Sequence, residues 1–356
     1  MRIAPPLILT LSLAFAACGD SEHADGRSTA PEGPVGPAAP PEQPTVPQPM
    51  GLGDQPILDT EGLVIKGGIA AQKIELGAML FFDPRLSGSG KMSCSTCHLP
   101  DQGWTDGKRF SPKDNGALNK RNTPTLVNAA YCDKLYWDGR APGLDANILA
   151  AWTGQMSADT AKVAETLAAV PAYRERFEAV FQSPPHERAI VQALSMFVRM
   201  RKGENAPFDA WRAGDADAVS ADAKAGYALF MSKAGCVLCH QEPLFTDKSF
   251  HNTGIGMDAA EPDLGRGAIV KDPKLNGYFK TPSLRDVALT APYFHDGSVA
   301  TLEEAVRFMA KGGLANPTKS AELVDRNLSD AEIGQLVAFL ESLTGTAKFT
   351  PPQLPE

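Results

Sequence analysis

The amino-acid sequence predicts a mostly α-helical protein with long loops, and three observations support this fold class. Apolar residues recur at helical spacing in several segments. Two capping boxes, Thr301-Leu-Glu-Glu304 and Ser329-Asp-Ala-Glu332, each open such a segment. No segment shows the convincing alternation of apolar and polar residues that is typical of a half-buried strand. We therefore expect helices joined by loops, with little sheet.

Length and composition are those of an ordinary globular protein. The chain has 356 residues, of which 43% are hydrophobic and 21% are charged, so it is long enough for two domains. Its net charge is −8, and acidic and basic residues are mixed along the sequence. Because no polybasic segment is present, we expect no nucleic-acid partner.

The N-terminal residues 1–17 have the features of an export signal. Arg2 supplies the positive charge, and an apolar stretch too short to span a bilayer ends in two alanines before Cys18. A cysteine at this place also resembles a lipoprotein cleavage site, although ordinary cleavage to a soluble product is the alternative. We expect a periplasmic protein that is anchored to a membrane through a lipid on Cys18.

Residues 18–56 are predicted to form a disordered tether. Nine prolines lie between Pro31 and Pro56, and large apolar residues are almost absent. Such a segment cannot bury enough apolar surface to offset the entropy of ordering it, and proline favours an extended spacer. A tether of this kind would hold a folded head clear of the membrane.

Helical periodicity and propensity predict the remaining elements in chain order. Prolines interrupt the pattern near Pro171 and after Phe181. The predicted helices are Ile74–Phe82, Ala158–Phe181 with a break at Pro171, Glu187–Arg201, Ala221–Lys233, Leu302–Ala310 and Ile333–Leu343.

Two pentapeptides have the form CxxCH: Cys94-Ser-Thr-Cys97-His98 and Cys236-Val-Leu-Cys239-His240. In this motif two thiols add across the vinyl groups of a haem, and the adjacent histidine ligates its iron. A zinc site requires CxxC pairs roughly 15 to 20 residues apart, and a thioredoxin-like motif requires a βαβ context. The sequence therefore predicts two covalently bound haem c groups.

Each motif follows a predicted helix, so the two halves of the chain look like distant duplicates. We predict two cytochrome c-like haem domains, over residues 57–212 and 213–356. The sixth iron ligand decides what each haem can do, because a methionine closes the site whereas an open position admits peroxide or oxygen. Met309 and Met156 are the candidates for the second and first haem, and core packing is the alternative for both.

From about Leu76 to Thr344 the chain resembles a known family, the bacterial di-haem cytochrome c peroxidases together with the MauG group. The segments that carry the resemblance are Phe82-Asp-Pro-Arg-Leu-Ser87, Arg121-Asn-Thr-Pro-Thr-Leu126, Trp137-Asp-Gly-Arg-Ala141, Phe250-His-Asn-Thr-Gly254, Lys280-Thr-Pro-Ser-Leu-Arg285, Leu289-Thr-Ala-Pro-Tyr-Phe-His-Asp-Gly-Ser298 and Thr301-Leu-Glu-Glu-Ala-Val-Arg-Phe-Met309.

The resemblance implies an electron path. The C-terminal haem, ligated by His240 and Met309, would take electrons from a small donor, a cytochrome c or a cupredoxin. Electrons would cross near Trp137 to the N-terminal, peroxidatic haem of His98, where H₂O₂ is reduced. Family members often pair as homodimers.

The resemblance also implies a structural calcium ion between the domains. The matching residues are Asn122, Thr290 and Pro292, the last two through backbone carbonyls. Oxygen ligands suit Ca²⁺, although Asn-Thr-Pro is also an ordinary turn sequence.

Two departures from the family pattern concern the first haem. The stretch from Leu99 to Arg121 lacks the distal histidine of the ordinary peroxidases, so this haem is predicted to be open, as in the MauG branch. The family's glutamine and acid are replaced by Asn147 and Gln155, which with Trp137 are the candidate catalytic residues. Glutamine can hold peroxide by hydrogen bonds but cannot exchange protons. Asp145 and Asp159 are candidate substitutes or, alternatively, solvated loop acids.

Three functions follow from these features. The leading hypothesis is an exported di-haem peroxidase that reduces H₂O₂. The second is MauG-like oxidation of residues in a partner protein, which the missing distal histidine favours. The third is a non-catalytic electron carrier in which Met156 closes the first haem.

Overall fold

The structure is a computed structural model, and it describes residues 68–346 and 348–356. The predicted signal peptide, Cys18 and tether lie outside these residues. Within the described residues, no helix combines the length and the apolar character needed to cross a membrane.

The described part of the chain is mostly helical, as predicted. Its sheet consists of two antiparallel pairs of two-residue strands, β1 with β2 and β3 with β4. The strands are β1 Lys134–Leu135, β2 Ala141–Pro142, β3 Phe250–His251 and β4 Phe279–Lys280. The helices are α1 Ile69–Phe82, α2 Leu144–Gly154, α3 Thr160–Ala169, α4 Pro171–Phe181, α5 Glu187–Arg199, α6 Pro207–Arg212, α7 Ala221–Met231, α8 Arg266–Val270, α9 Leu302–Ala310 and α10 Asp330–Glu341.

The predicted helices are present, with ends that shift by a few residues. Helix α9 has its predicted bounds, and both capping boxes form at Thr301 and Ser329. Helices α2, α6 and α8 were not predicted. The first begins after Gly143 without a side-chain cap, and the other two span six and five residues, too few to show a periodic pattern.

A first apolar cluster is built on the crossing of α1 and α5 and contains residues from Leu76 to Val198. The helices meet at Gly77, where an added Cβ would lie 2.0 Å from the carbonyl oxygen of Ala193. A side chain at this position would push the helices apart, so glycine is required by the close approach. This crossing places the end of α1 beside the first CxxCH turn.

A second apolar cluster repeats this arrangement with α7 and α10 and contains residues from Phe208 to Leu343. Here Gly226 allows the approach, because its Cβ would lie 1.9 Å from the carbonyl oxygen of Gln335. Each CxxCH turn therefore follows a helix that crosses the last helix of its own cluster. The predicted domain boundary after residue 212 stays a prediction, and Phe208 of α6 packs in the second cluster.

The chain end returns to the first cluster. Phe349 stacks on Phe82 with ring centroids 5.7 Å apart and makes an edge contact with Trp104 at 5.4 Å. The Arg85 guanidinium donates a 2.6 Å hydrogen bond to the carbonyl oxygen of Pro355. The last described residues thus cover the first core.

A buried carboxylate organises the turn after α1. Asp83 is fully buried, caps the short 3₁₀ turn Pro84–Leu86 and pairs with Arg85 at 2.7 Å. The hydroxyl of Tyr173, from α4, donates a 2.6 Å hydrogen bond to the same carboxylate. A buried charge needs such partners, so these residues have a structural role in the first core.

Replacing Tyr173 by phenylalanine removes one hydrogen bond from this buried carboxylate. We expect the free energy of unfolding to fall by about 1–3 kcal/mol, the usual cost of an unsatisfied buried acceptor, measured by urea denaturation. Tyr278→Phe is the control, because within the described residues the Tyr278 hydroxyl has no hydrogen bond. Equal losses in the two variants would contradict this role.

Candidate functional site

The first CxxCH motif forms a tight turn at the edge of the first cluster. Residues Cys94–Thr96 are a 3₁₀ turn, and the backbone N–H of Ser93 donates to Oγ1 of Thr96 at 3.0 Å. The turn leads directly into His98, whose Nδ1 lies 2.8 Å from the carbonyl oxygen of Trp104. Both cysteines and the histidine line one cavity.

The second motif has the same construction. Residues Cys236–Leu238 form a 3₁₀ turn after Gly235. Nδ1 of His240 lies 2.8 Å from the carbonyl oxygen of Phe245. Cys236, Cys239 and His240 line a second cavity.

These contacts determine the protonation of both imidazoles. A carbonyl oxygen can only accept, so Nδ1 carries the proton and Nε2 keeps its lone pair. Burial lowers the pKa of both His98 and His240, although each carbonyl contact opposes this effect. A neutral imidazole with a free Nε2 and its Nδ1–H held by a carbonyl is the form in which histidine ligates a metal.

The two carbonyl acceptors belong to residues in an unusual backbone conformation. Trp104 has φ 61° and Phe245 has φ 53°, in the left-handed region that bulky residues rarely adopt. Both side chains are buried among other aromatic rings. The ring centroids of Trp104 and Phe81 are 5.8 Å apart, and those of Phe245 and Phe208 are 5.5 Å apart. The two cores therefore hold the strained residues that orient the histidines.

The first cavity, of about 900 Å³, also receives side chains from α2 and the residues just after it. Asn147 and Gln155 both line it, and Oε1 of Gln155 is buried with no hydrogen-bond partner. The thioether sulfur of Met156 lies 3.9 Å from Sγ of Cys94, at the cysteine edge of the cavity. Gln155 and His98 therefore line the same cavity, and the amide oxygen of Gln155 is buried without a partner.

The second cavity, of about 230 Å³, is smaller. His240 lines it together with Met309, which lies in the last turn of α9. The predicted pair His240 and Met309 thus shares one enclosed space. Most other lining residues are apolar.

Trp137 lines both cavities. Its indole N–H donates to the carbonyl oxygen of Asn122 at 2.9 Å, and its own carbonyl accepts from the backbone N–H of Lys280 at 2.8 Å. Both ends of the residue are therefore held between the two CxxCH sites.

The match to known proteins agrees with this twofold construction. A family profile described as "Di-haem cytochrome c peroxidase" matches residues 71–217. The chain is 42% identical over 295 residues to the methylamine utilization protein MauG of Methylorubrum extorquens, covering 81% of this chain and 82% of that one. The chain belongs to the di-haem cytochrome c peroxidase and MauG family.

Two further members of the family are similar over most of their length. Cytochrome-c peroxidase IdrP1 of Denitromonas iodatirespirans is 37% identical over 322 residues, covering 81% of this chain and 86% of that one. The crystal structure of a MauG-like protein associated with microbial copper homeostasis superposes with a TM-score of 0.73 at 31% identity, covering 87% and 96%. Members of this family are di-haem proteins, and the two cavities are therefore the candidate haem sites.

The two acids considered as substitutes for the family's carboxylate do not line the first cavity. Asp145 accepts a hydrogen bond from Ser195 of α5. Asp159 is exposed, caps α3 and lies 3.4 Å from Lys162. Their side chains therefore have structural partners elsewhere.

The candidate calcium ligands lie around the same cavity. Asn122, Thr290 and Pro292 all line it. Nδ2 of Asn122 donates to the carbonyl oxygen of Lys108 at 2.9 Å, while its Oδ1 has no hydrogen-bond partner within the described residues. Amide and carbonyl oxygens are donors that fit Ca²⁺.

A second cluster contains metal-binding residue types, with Cys239, Asp247 and His251 brought together within 4.8 Å. Cys239 belongs to the second CxxCH motif, so its sulfur is the atom that would attach haem. The contact between Nε2 of His251 and Asp247, 2.8 Å, is then a local ion pair beside that motif.

Sequence reasoning missed Tyr136, which lines the first cavity. Its hydroxyl donates a 3.5 Å hydrogen bond to the backbone carbonyl oxygen of Asn147, and Gln155 lines the same cavity. The signal available in the sequence was its place directly before Trp137. That signal does not say on which side of the cavity the ring lies.

A buried histidine near the second cavity makes stability depend on pH. His295 stacks on Phe279 with ring centroids 3.5 Å apart, and burial lowers its pKa to about 4, although Asp296 and Asp263 oppose this effect. The imidazole is neutral in both folded and unfolded chains above pH ~6.5. Below that pH the unfolded chain binds the proton first.

We therefore expect the free energy of unfolding to fall by about 2–3 kcal/mol from His295 as the pH drops from 6.5 to 4. Urea denaturation at several pH values measures this slope. In His295→Gln the slope over this window should be shallower by that amount. Equal slopes for parent and variant would contradict the buried neutral state.

Proposed function

We propose that this protein is an exported di-haem cytochrome c peroxidase that reduces H₂O₂ at its N-terminal haem with electrons received at its C-terminal haem. One observation carries the proposal: each of two CxxCH turns has a half-buried histidine whose Nδ1 faces a carbonyl oxygen, and Trp137 lines both of the cavities that these histidines line. The family to which the chain belongs supports the same activity.

The residues present fit two haem c groups. Cys94 and Cys97 would attach the first and Cys236 and Cys239 the second, since each pair lines a cavity with its histidine. Haem supplies an iron centre that exchanges electrons and, where its sixth position is open, can reduce peroxide. All other chemistry must come from the protein's own side chains.

The difference between the two cavities supports distinct roles. In the second, Met309 would ligate the haem iron, and a methionine ligand suits an electron-transfer haem. In the first, the side chains of Gln155 and Asn147 line the cavity, and their amides can hold H₂O₂ by hydrogen bonds. We therefore assign peroxide binding to the first cavity.

The electron-carrier alternative requires Met156 to close the first haem. Its sulfur instead contacts Sγ of Cys94 at 3.9 Å, at the edge where that cysteine would bind a vinyl carbon. This position supports an open first haem, and Trp137 offers the path between the two sites.

A second candidate function is oxidation of residues in a partner protein. The relative at 42% identity is a MauG protein, and the chain lacks a histidine between Leu99 and Arg121. An open haem without a distal histidine can react with H₂O₂ in both functions. The functions differ in the electron donor, which is a small cytochrome or cupredoxin in the first and residues of a partner protein in the second.

Location and assembly complete the proposal. The export signal and Cys18 support a periplasmic protein held by a lipid anchor. A small cytochrome c or cupredoxin would supply electrons, and the oxygen donors of Asn122, Thr290 and Pro292 would hold Ca²⁺. A homodimer is the expected assembly.

The proposed function is tested by EPR of the oxidised protein followed by H₂O₂ addition with a reduced small cytochrome present. We expect one high-spin and one low-spin haem signal and oxidation of the cytochrome. Two low-spin signals with no turnover would overturn the proposal in favour of an electron carrier. A high-spin haem that consumes H₂O₂ without oxidising the cytochrome would favour a protein substrate.

Met309→Leu tests the assignment of the second haem. Losing the thioether should convert the low-spin signal to high spin and lower the reduction potential of that haem, because methionine opposite histidine raises it. EPR and a redox titration measure both effects. Met231→Leu is the matched control, because Met231 packs against the second apolar cluster and does not line this cavity. A low-spin signal that survives in Met309→Leu would show that another ligand closes this haem.

A further inference from the structure

The first cavity holds carboxylates, but they are engaged or remote from α2. Asp138 is buried and accepts from Arg121 at 2.6 Å and from Arg140 at 3.0 Å. Although burial opposes it, pairing with Arg121 holds the pKa of Asp263 below its ordinary value. Glu261 is exposed at the rim. None of these carboxylates is a proton donor held beside Gln155.

The phenol of Tyr136 lines the first cavity together with the two amide side chains. The hydroxyl of Tyr136 donates a long hydrogen bond, 3.5 Å, to the backbone carbonyl oxygen of Asn147 in α2, and Gln155 directly follows that helix. All three residues line the first cavity, and the Gln155 oxygen is left without a partner. The other phenol of this cavity, Tyr293, donates to the carbonyl oxygen of Val287 at 3.1 Å.

The backbone conformation of Tyr136 is unusual, and the surrounding turn maintains it. Its φ of 62° is a left-handed conformation that bulky residues rarely adopt. The turn between β1 and β2 maintains it, with the N–H of Gly139 donating to the Tyr136 carbonyl at 3.3 Å. Such strained residues cluster at functional sites.

A cation is placed to support loss of the phenol proton. The guanidinium carbon of Arg140 lies 3.5 Å from the centre of the Tyr136 ring. Burial raises the pKa of Tyr136, and Arg140 counteracts that effect. The phenol is therefore protonated at neutral pH, and its anion would form next to a positive charge.

We propose that Tyr136, positioned by the β1–β2 turn, donates a proton to H₂O₂ in the first cavity. This inference rests on the proposed function. Reduction of H₂O₂ breaks the O–O bond and consumes two electrons and two protons to give two water molecules. The small donor supplies the electrons. Tyr136 passes protons from solvent to oxygen, and its transient phenolate is held by Arg140.

The test compares Tyr136→Phe with the parent holoprotein in two measurements. The first is the rate of reaction with H₂O₂, which should fall roughly 100-fold or more, as for loss of a general acid. The second is the affinity of the oxidised protein for fluoride, an anion that a hydrogen-bond donor stabilises. Fluoride binding should weaken about tenfold, the value of one charge-assisted hydrogen bond.

Two further variants separate a catalytic phenol from a structural one. Tyr131→Phe, a half-buried tyrosine away from this cavity, is the control and should match the parent in both measurements. Adding Gln155→Glu to Tyr136→Phe should restore much of the peroxide rate, because a carboxylate can exchange protons. Rescue by an acid is not expected if Tyr136 merely packs.

The outcomes are distinct. A parent protein that does not react with H₂O₂ overturns the proposed function and this inference with it. A reactive parent, with a Tyr136→Phe variant within twofold of it in rate and fluoride affinity, overturns the role of Tyr136 alone. Loss of rate in Tyr136→Phe with rescue by Gln155→Glu supports it.

Discussion

Both candidate haem sites depend on a hydrogen bond that a half-buried histidine donates to a backbone carbonyl. His98 and His240 each make it at 2.8 Å, and it leaves Nε2 as the only nitrogen able to ligate. The acceptors are the carbonyl oxygens of Trp104 and Phe245. Both residues have φ in the left-handed region, and in this conformation their carbonyls point at the histidines. A conformation that costs roughly 1–3 kcal/mol persists when the surrounding core over-determines it. The aromatic clusters therefore hold the two candidate iron ligands in place as well as stabilising the fold.

The two halves share this construction and differ in what faces the histidine. In both, a glycine lets the helix before the CxxCH turn cross the last helix of its cluster. In the second half a methionine, Met309, lines a small and mostly apolar cavity with the histidine. In the first, the cavity is larger and the amides of Asn147 and Gln155 line it. A duplicated frame with unlike distal residues is a physical basis for one haem that transfers electrons and one that reacts.

Two arginines pair with carboxylates around the first cavity. Arg121 lies 2.6 Å from Asp138 and 2.7 Å from Asp263, and Arg140 also pairs with Asp138. These ion pairs join distant parts of the chain around one cavity. In the proposed reaction the proton comes instead from the neutral phenol of Tyr136.

Much was determined by the sequence alone. The CxxCH motifs specify covalent chemistry by five adjacent residues, and the capping boxes at Thr301 and Ser329 act within one helical turn, so neither needs distant contacts. Met309 required the family resemblance, because a methionine in a helix is usually packing. Tertiary structure alone decided that Asp145 and Asp159 lie away from the cavity and that Tyr136 lies within it. Those positions depend on how α2 and the β1–β2 turn pack across the chain, and local sequence carries no information about such long-range distances.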